Sequence, residues 1–280
     1  MTAETPIVDA HMHLWNLQHP ELHWSHLQDP DFVHPIIGPQ LGRLAGSNYE
    51  IFDYLRDIED WGVAKSIHVQ AAMGSEDPAD ETKWLQELAD EHGFPQGIIG
   101  EADLRDPKIS ELLERHCQYP NMRGIRDFSY GDYLVHPDFH RGFALLEEYG
   151  LIASLDVKWE DMEKLALLAE QNPGVVIVLD HAGFPTERTK EYFENWMGGI
   201  ARIAQCENVY CKVSGLGMGD NEWDTDRIRP WVVHCIDCFS DDRTIFASNW
   251  PVDSLWSDYG TIVQAYREIL SVRPEVEQEK

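Results

Sequence analysis

The stretch Ile7-Val8-Asp9-Ala10-His11-Met12-His13-Leu14-Trp15 reads as a short buried strand that ends in His-X-His and passes into a loop. Residues two apart on a strand point to one face, so His11 and His13 project together while Met12 faces the other way. Two imidazoles at that spacing can share one metal ion or polarise one substrate group together. Two ordinary histidines near a surface turn are the plainer alternative. The choice between them depends on where the rest of the chain places its polar residues.

Downstream, short β-branched runs alternate with amphipathic helical stretches, the order of βα units. The runs are Ser66–Gln70, Gly97–Leu104, Gly124–Phe128, Ile152–Val157, Val175–His181, Val209–Leu216 and Ile245–Trp250. With the opening strand they make eight, and the spacing predicts helices such as Tyr49–Trp61, Thr82–His92, Phe139–Tyr149 and Met162–Gln171. Eight such units predict a single-domain α/β fold, the (β/α)8 TIM barrel. A doubly wound open sheet is disfavoured because no G-x-G-x-x-G follows any strand. The irregular stretch Asn16 to Asn48, with Trp24, His26, His34, Pro35 and Pro39, shows no sustained periodicity. A loop of that length is uncommon unless functional, so residues 16–48 are expected to form a lid over the barrel mouth.

Composition narrows the function classes. The 280 residues are 43% hydrophobic and 26% charged, as in a protein with a large core. Net charge is −28, from 22 Lys+Arg against 50 Asp+Glu, which disfavours nucleic acid and anionic membranes as partners. A small-molecule substrate is the expected partner, with a second copy of the chain left open. Met1-Thr2-Ala3-Glu4 carries neither a basic region nor an apolar run, and no stretch reaches the roughly 18 apolar residues of a membrane span. With five cysteines, an odd number, and the pair Cys235 and Cys238 lacking a second C-x-x-C, reduced thiols in a cytoplasmic protein are expected.

Buried parallel strands are normally apolar throughout, yet here nearly every strand is apolar early and polar late. The late residues are His11 and His13, His68 and Gln70, Glu101 and Asp103, Arg126 and Asp127, Ser154 and Asp156, His181, Lys212 and Ser214, and Asn249. Strand carboxyl ends form the catalytic face of this barrel, so these groups converge on one mouth. Asp9, Asp127 and Asp180 can equally serve to hold neighbouring backbone.

The stretches IVDAHMHLW (7–15), MRGIRD (122–127), LDHAGFP (179–185), CKVSGL (211–216) and FASNWPVD (246–253) resemble motifs of the amidohydrolase superfamily. The likeness is to its amidohydrolase-related branch, which includes sugar lactonases and 2-pyrone-4,6-dicarboxylate lactonase, and it covers almost the whole chain in order. The resemblance implies that His11, His13 and His181 hold one divalent ion, zinc or manganese, or serve a metal-free site. The branch usually has an aspartate where this chain has Asn249, and a neutral amide takes no proton at neutral pH. No lysine occupies the fourth-strand bridging position and no histidine lies on the fifth strand, which disfavours a two-metal centre.

These parts imply a hydrolase that opens a lactone of a small carboxylated or polyhydroxylated organic acid. His181 and Asn249 would act at the reacting centre, and Asp253, four residues beyond Asn249, would activate water. Arg126 and Lys212 would hold substrate anions, with Tyr49, Trp250 and Gln70 shaping the pocket. Each cation also has a structural reading, Arg126 paired with Glu101 and Lys212 with Asp180 or Asp156. Two other functions share these residues: a metal-dependent decarboxylase or lyase, and a non-catalytic binding protein.

Overall fold

Eight strands, each parallel to the one before, follow chain order around a barrel in the computed structural model, which describes residues 5–129 and 131–274. They are β1 (Ile7–Met12), β2 (Val63–Val69), β3 (Gly97–Glu101), β4 (Met122–Arg126), β5 (Ile152–Leu155), β6 (Ile177–Leu179), β7 (Val209–Val213) and β8 (Thr244–Phe246). The longer helices are α1 (Ile51–Ile58), α2 (Ala79–His92), α3 (Ile109–His116), α4 (Pro137–Tyr149), α5 (Met162–Gln171), α6 (Lys190–Ile203), α7 (Thr225–Phe239) and α8 (Tyr259–Leu270). This is the (β/α)8 barrel that the alternation of patterns predicts.

The helices cover the strands through one apolar face each. On α4, Phe139, Phe143 and Leu146 are fully buried at four- and three-residue spacing. On α7, Trp231, Cys235 and Phe239 are buried at four-residue spacing. Gly93 and Gly150 end α2 and α4 in the left-handed conformation, which glycine adopts without steric cost.

Several strands stop earlier than their apolar pattern suggests. The run Val175–His181 is a strand only over β6, because the chain turns at Asp180–Gly183, with His181 at φ 52° and Ala182 at φ 51°. Likewise Ile245–Trp250 is a strand only to Phe246. Beyond that point the barrel closes through single contacts: Asn249 N donates to His11 O at 2.9 Å and His13 N to Trp250 O at 2.8 Å. Buried Asp9 reinforces the seam, accepting from Ser248 N, Ser248 Oγ, Tyr54 Oη and Tyr259 Oη. These contacts set the last-strand loop against the His11–His13 wall.

The segment between β1 and α1 carries one helical turn (Ser25–Gln28) and one 3-10 turn (Pro39–Arg43). Its Leu22, Trp24, Leu27, Ile37 and Leu41 build a second core with Ala71, Phe184, Met218 and Leu255. Arg43 Nη1 donates to Leu255 O at 2.9 Å, tying the segment to the loop after β8. Among the described residues all five cysteines are free, and no helix is long and apolar enough to cross a membrane.

Candidate active site

His11 and His13 face each other at the end of β1, with their Nε2 atoms 3.1 Å apart. His13 Nδ1 lies 2.8 Å from Val69 O, which can only accept, so Nδ1 carries the proton and Nε2 a lone pair. His11 Nδ1 lies 3.4 Å from Lys212 Nζ and 3.7 Å from Asp180 Oδ1. Taking the nearer ammonium as donor places the His11 proton on Nε2, facing His13. The assignment gives a continuous chain, Lys212 to His11 to His13 to Val69 O. Burial holds both imidazoles neutral, well below their ordinary pKa, with Lys212 adding to the effect at His11 and His68 at His13.

His181 arrives from the turn after β6 rather than from the strand itself. Its left-handed backbone is a strained choice for a non-glycine residue, and Trp196 Nε1 donates to Ala182 O at 2.7 Å to hold the turn. The His181 Nδ1 atom meets Ser214 Oγ at 2.8 Å. The next residue, Gly215, is at φ +62°, and a Cβ there would stand 2.7 Å from His181 Nδ1. The imidazole lies against His11, centroid to centroid 4.5 Å, and burial lowers its pKa to about 3.

Beneath these rings runs a line of alternating charge. Lys212 Nζ contacts Asp180 Oδ1 at 2.7 Å, Asp180 Oδ2 lies 3.7 Å from Arg126 Nε, and Arg126 Nη2 contacts Asp156 Oδ2 at 2.6 Å. Ser154 Oγ donates to Asp180 Oδ2 at 2.7 Å. Burial would raise the Asp180 pKa, but Lys212, His11 and Arg126 outweigh it and hold the group well below its ordinary value. Asp156 is driven the other way, to about 6, by burial against the pull of Arg126. Its Oδ1 accepts no hydrogen bond. Arg126 therefore pairs with Asp156 and Asp180, not with Glu101, and Lys212 with Asp180.

These groups floor a cavity of about 390 Å³ at the carboxyl ends of the strands. Of the residues singled out in the sequence, His13, His181, Asn249, Arg126 and Gln70 line it. Buried Gln70 has no partner for either amide atom, while Glu81 on α2 accepts from Ala71 N and Ala72 N and fixes the loop just beyond it. His11 and Lys212 lie behind the cavity wall, in the buried network. Asp253 accepts from Asn249 Nδ2 at 3.2 Å and faces a separate small pocket with Trp223 and Tyr266. Burial raises its pKa to about 7. Tyr49 and Trp250 also lie outside the cavity lining: Tyr49 Oη and Trp250 Nε1 both donate to Asp57 Oδ2, at 2.8 and 2.9 Å. Their aromatic tips brace α1 against the last loop.

Other lining residues carried weaker signals. Asp156 is a late polar residue of the fifth run that the sequence offers only as a structural partner of Lys212, and His26 and His34 lie in the irregular segment. Phe128, Phe184 and Met218 offered no signal that separates a cavity wall from an ordinary core position.

A model of the amidohydrolase family matches residues 8–280. The chain belongs to the amidohydrolase family. It is 38% identical to the uncharacterized protein y4mH of Sinorhizobium fredii, over 95% of this chain and 92% of that protein. It is 27% identical to an L-fucono-1,5-lactonase of Burkholderia ambifaria, over 90% and 84% of the two chains. Among solved structures, an amidohydrolase of Burkholderia multivorans with bound zinc superposes with a TM-score of 0.82 at 25% identity, over 98% and 94%. This chain is thus an amidohydrolase-family hydrolase.

The donors of this amidohydrolase fit one ion and no more. Two nitrogens 3.1 Å apart suit ligands of a single zinc-sized ion, provided that the His11 proton moves from Nε2 to Nδ1, on the side of Asp180. Among the described residues, however, no three His, Cys, Asp or Glu side chains come together as a metal cage. His181 does not join the pair at ligand spacing, and Asn249 brings an amide where an anionic ligand would complete the set.

Proposed function

We propose that this amidohydrolase opens the ring of a lactone by attack of an activated water. The observation that carries the reading is the convergence of His13, Arg126, Asp156, His181 and Asn249 on one covered cavity at the catalytic face of the barrel. The lactonase name of the Burkholderia relative supports the same reaction class.

Asp156 is the carboxylate placed to take the proton of water. Its Oδ2 is fixed by Arg126, its Oδ1 is unengaged, and a group titrating near 6 is ionised at neutral pH yet basic enough to act. As the proton passes to Asp156, the water oxygen bonds to the carbonyl carbon and the carbonyl electron pair moves onto oxygen. Ser214 donating to His181 Nδ1 leaves Nε2–H free to hold that oxyanion, helped by the Arg126 N–H groups not given to Asp156. Collapse breaks the ring C–O bond, and Asp156 returns its proton to the departing alkoxide. His11 and His13 are the residues that would hold a divalent ion, which when bound supplies Lewis-acid polarisation of a carbonyl.

A panel of five- and six-membered lactones, followed by acidification in weak buffer, tests the reaction. Turnover of at least one member well above its spontaneous rate is expected. Release of carbon dioxide from carboxylic acids without lactone turnover, or ligand-induced thermal stabilisation without any turnover, would replace this reading.

A further inference from the structure

The cavity has two unlike halves. Strand ends supply the polar floor, whereas the segment between β1 and α1 supplies a roof of Leu27, Phe32, Ile36, Ile37, Leu41 and Leu44. The roof offers few polar atoms to a ligand. His34 Nδ1 is already taken by Ile36 N and Ile37 N, at 3.2 and 3.1 Å, which leaves the His34 Nε2–H and the buried His26 Nδ1 as the polar atoms of its histidines. A hydroxyl buried against such a wall loses its water without replacement.

Charge is equally one-sided. The ionisable groups lining the cavity, histidines aside, are the cations Arg126 and Lys158 and the carboxylates Asp127, Asp156, Glu160 and Asp161. Arg126 is already matched by Asp156 and Asp180, and Lys212 by Asp180, so the floor holds no surplus positive charge. The lining side chains thus carry more carboxylates than cations, in a chain of net charge −28, which disfavours a carboxylated ligand.

Resting on the lactonase reading above, we infer that the substrate is an uncharged lactone with an apolar substituent, its ring carbonyl on the polar floor and its hydrocarbon part under the roof. This departs from the carboxylated or polyhydroxylated acid that the sequence suggests.

Three six-membered lactones separate the cases: δ-nonalactone, which carries a butyl chain, the polyhydroxylated L-fucono-1,5-lactone, and the dianionic 2-pyrone-4,6-dicarboxylate. The kcat/KM for δ-nonalactone is expected to exceed both others by about a hundredfold, the scale of burying four methylene-sized groups. Phe32→Ser should shrink that preference about tenfold. A preference for either polar lactone, or equal rates, overturns the inference while leaving lactonase activity standing. If none of the three is hydrolysed, the wider lactone panel decides the lactonase reading, and binding decides the inference separately. Thermal stabilisation by the unreactive lactam 6-butylpiperidin-2-one, stronger than by a trihydroxylated six-membered lactam, upholds it. The reverse order, or no stabilisation by either, overturns it.

Discussion

Asn249 presents its side chain to the cavity while Nδ2 ties Asp253 Oδ1 at 3.2 Å, so the Asp253 carboxylate sits behind an amide. Asn249→Asp would set two carboxyls at that separation, where like charges cannot both ionise. We expect the variant to share one proton between the pair and to lose thermal stability between pH 6 and pH 8 faster than the parent. It should also retain more zinc through purification, since it adds an anionic donor near His11 and His13. Thermal melts at both pH values and elemental analysis check the two outcomes.

Burial raises three carboxyls to neutrality or above: Asp253 to about 7, Glu101 to about 7 and Glu81 to about 8. A carboxyl raised on folding binds its proton more tightly in the native state, so stability falls as pH rises through the folded value. Above about pH 7.5, a unit past the unfolded imidazole value, the buried histidines are neutral in both folded and unfolded chains and no longer oppose this slope. Tm is therefore expected to fall between about pH 7.5 and 9. The double variant Glu81→Gln, Asp253→Asn should flatten that fall, because an amide keeps the acceptor for Ala71 N and Ala72 N without the charge.

Asp57 Oδ2 is the common acceptor of Tyr49 Oη and Trp250 Nε1. Asp57→Ala leaves two largely buried donors without a partner, at a cost of about 1–3 kcal/mol each. Chemical denaturation should show the loss, and KM should rise as the last loop loosens, with a smaller effect on kcat.

If Asp156 takes the proton, Asp156→Asn should lower kcat by about 10²–10⁴ with the fold retained. It should also abolish the acidic limb of the rate profile near pH 6. Arg126→Met should be costlier to the fold, about 3–5 kcal/mol, because Asp156 and Asp180 both lose their shared cation. Circular dichroism melts beside pH–rate profiles distinguish the two effects.

The barrel was legible because hydrophobic periodicity and strand-end polarity agree over eight successive units. The site was less so. His11 and His13 follow from the alternation of a strand, but the position of His181 depends on a left-handed turn that no glycine or proline at residue 181 announces. Tyr49 and Trp250 look like pocket aromatics until Asp57 is seen to hold both, and Trp250 lies 193 residues from it. Asp253 has the spacing to reach back, yet its carboxylate is held by Asn249 Nδ2 and the Gly215 backbone beside a separate small pocket. Asp156 was visible as a polar strand end, but its choice of Arg126 over Lys212 is set by the barrel interior.

The alternation Lys212, Asp180, Arg126, Asp156 acts as a built-in counterion layer beneath the reacting centre. A chain this acidic sends a strong negative potential through solvent, but mobile ions outside cannot enter that buried row to rescale it. Added salt should thus tune how the molecule meets other charged bodies while leaving the local field at the carbonyl almost untouched, insulating the chemistry from the surface that surrounds it.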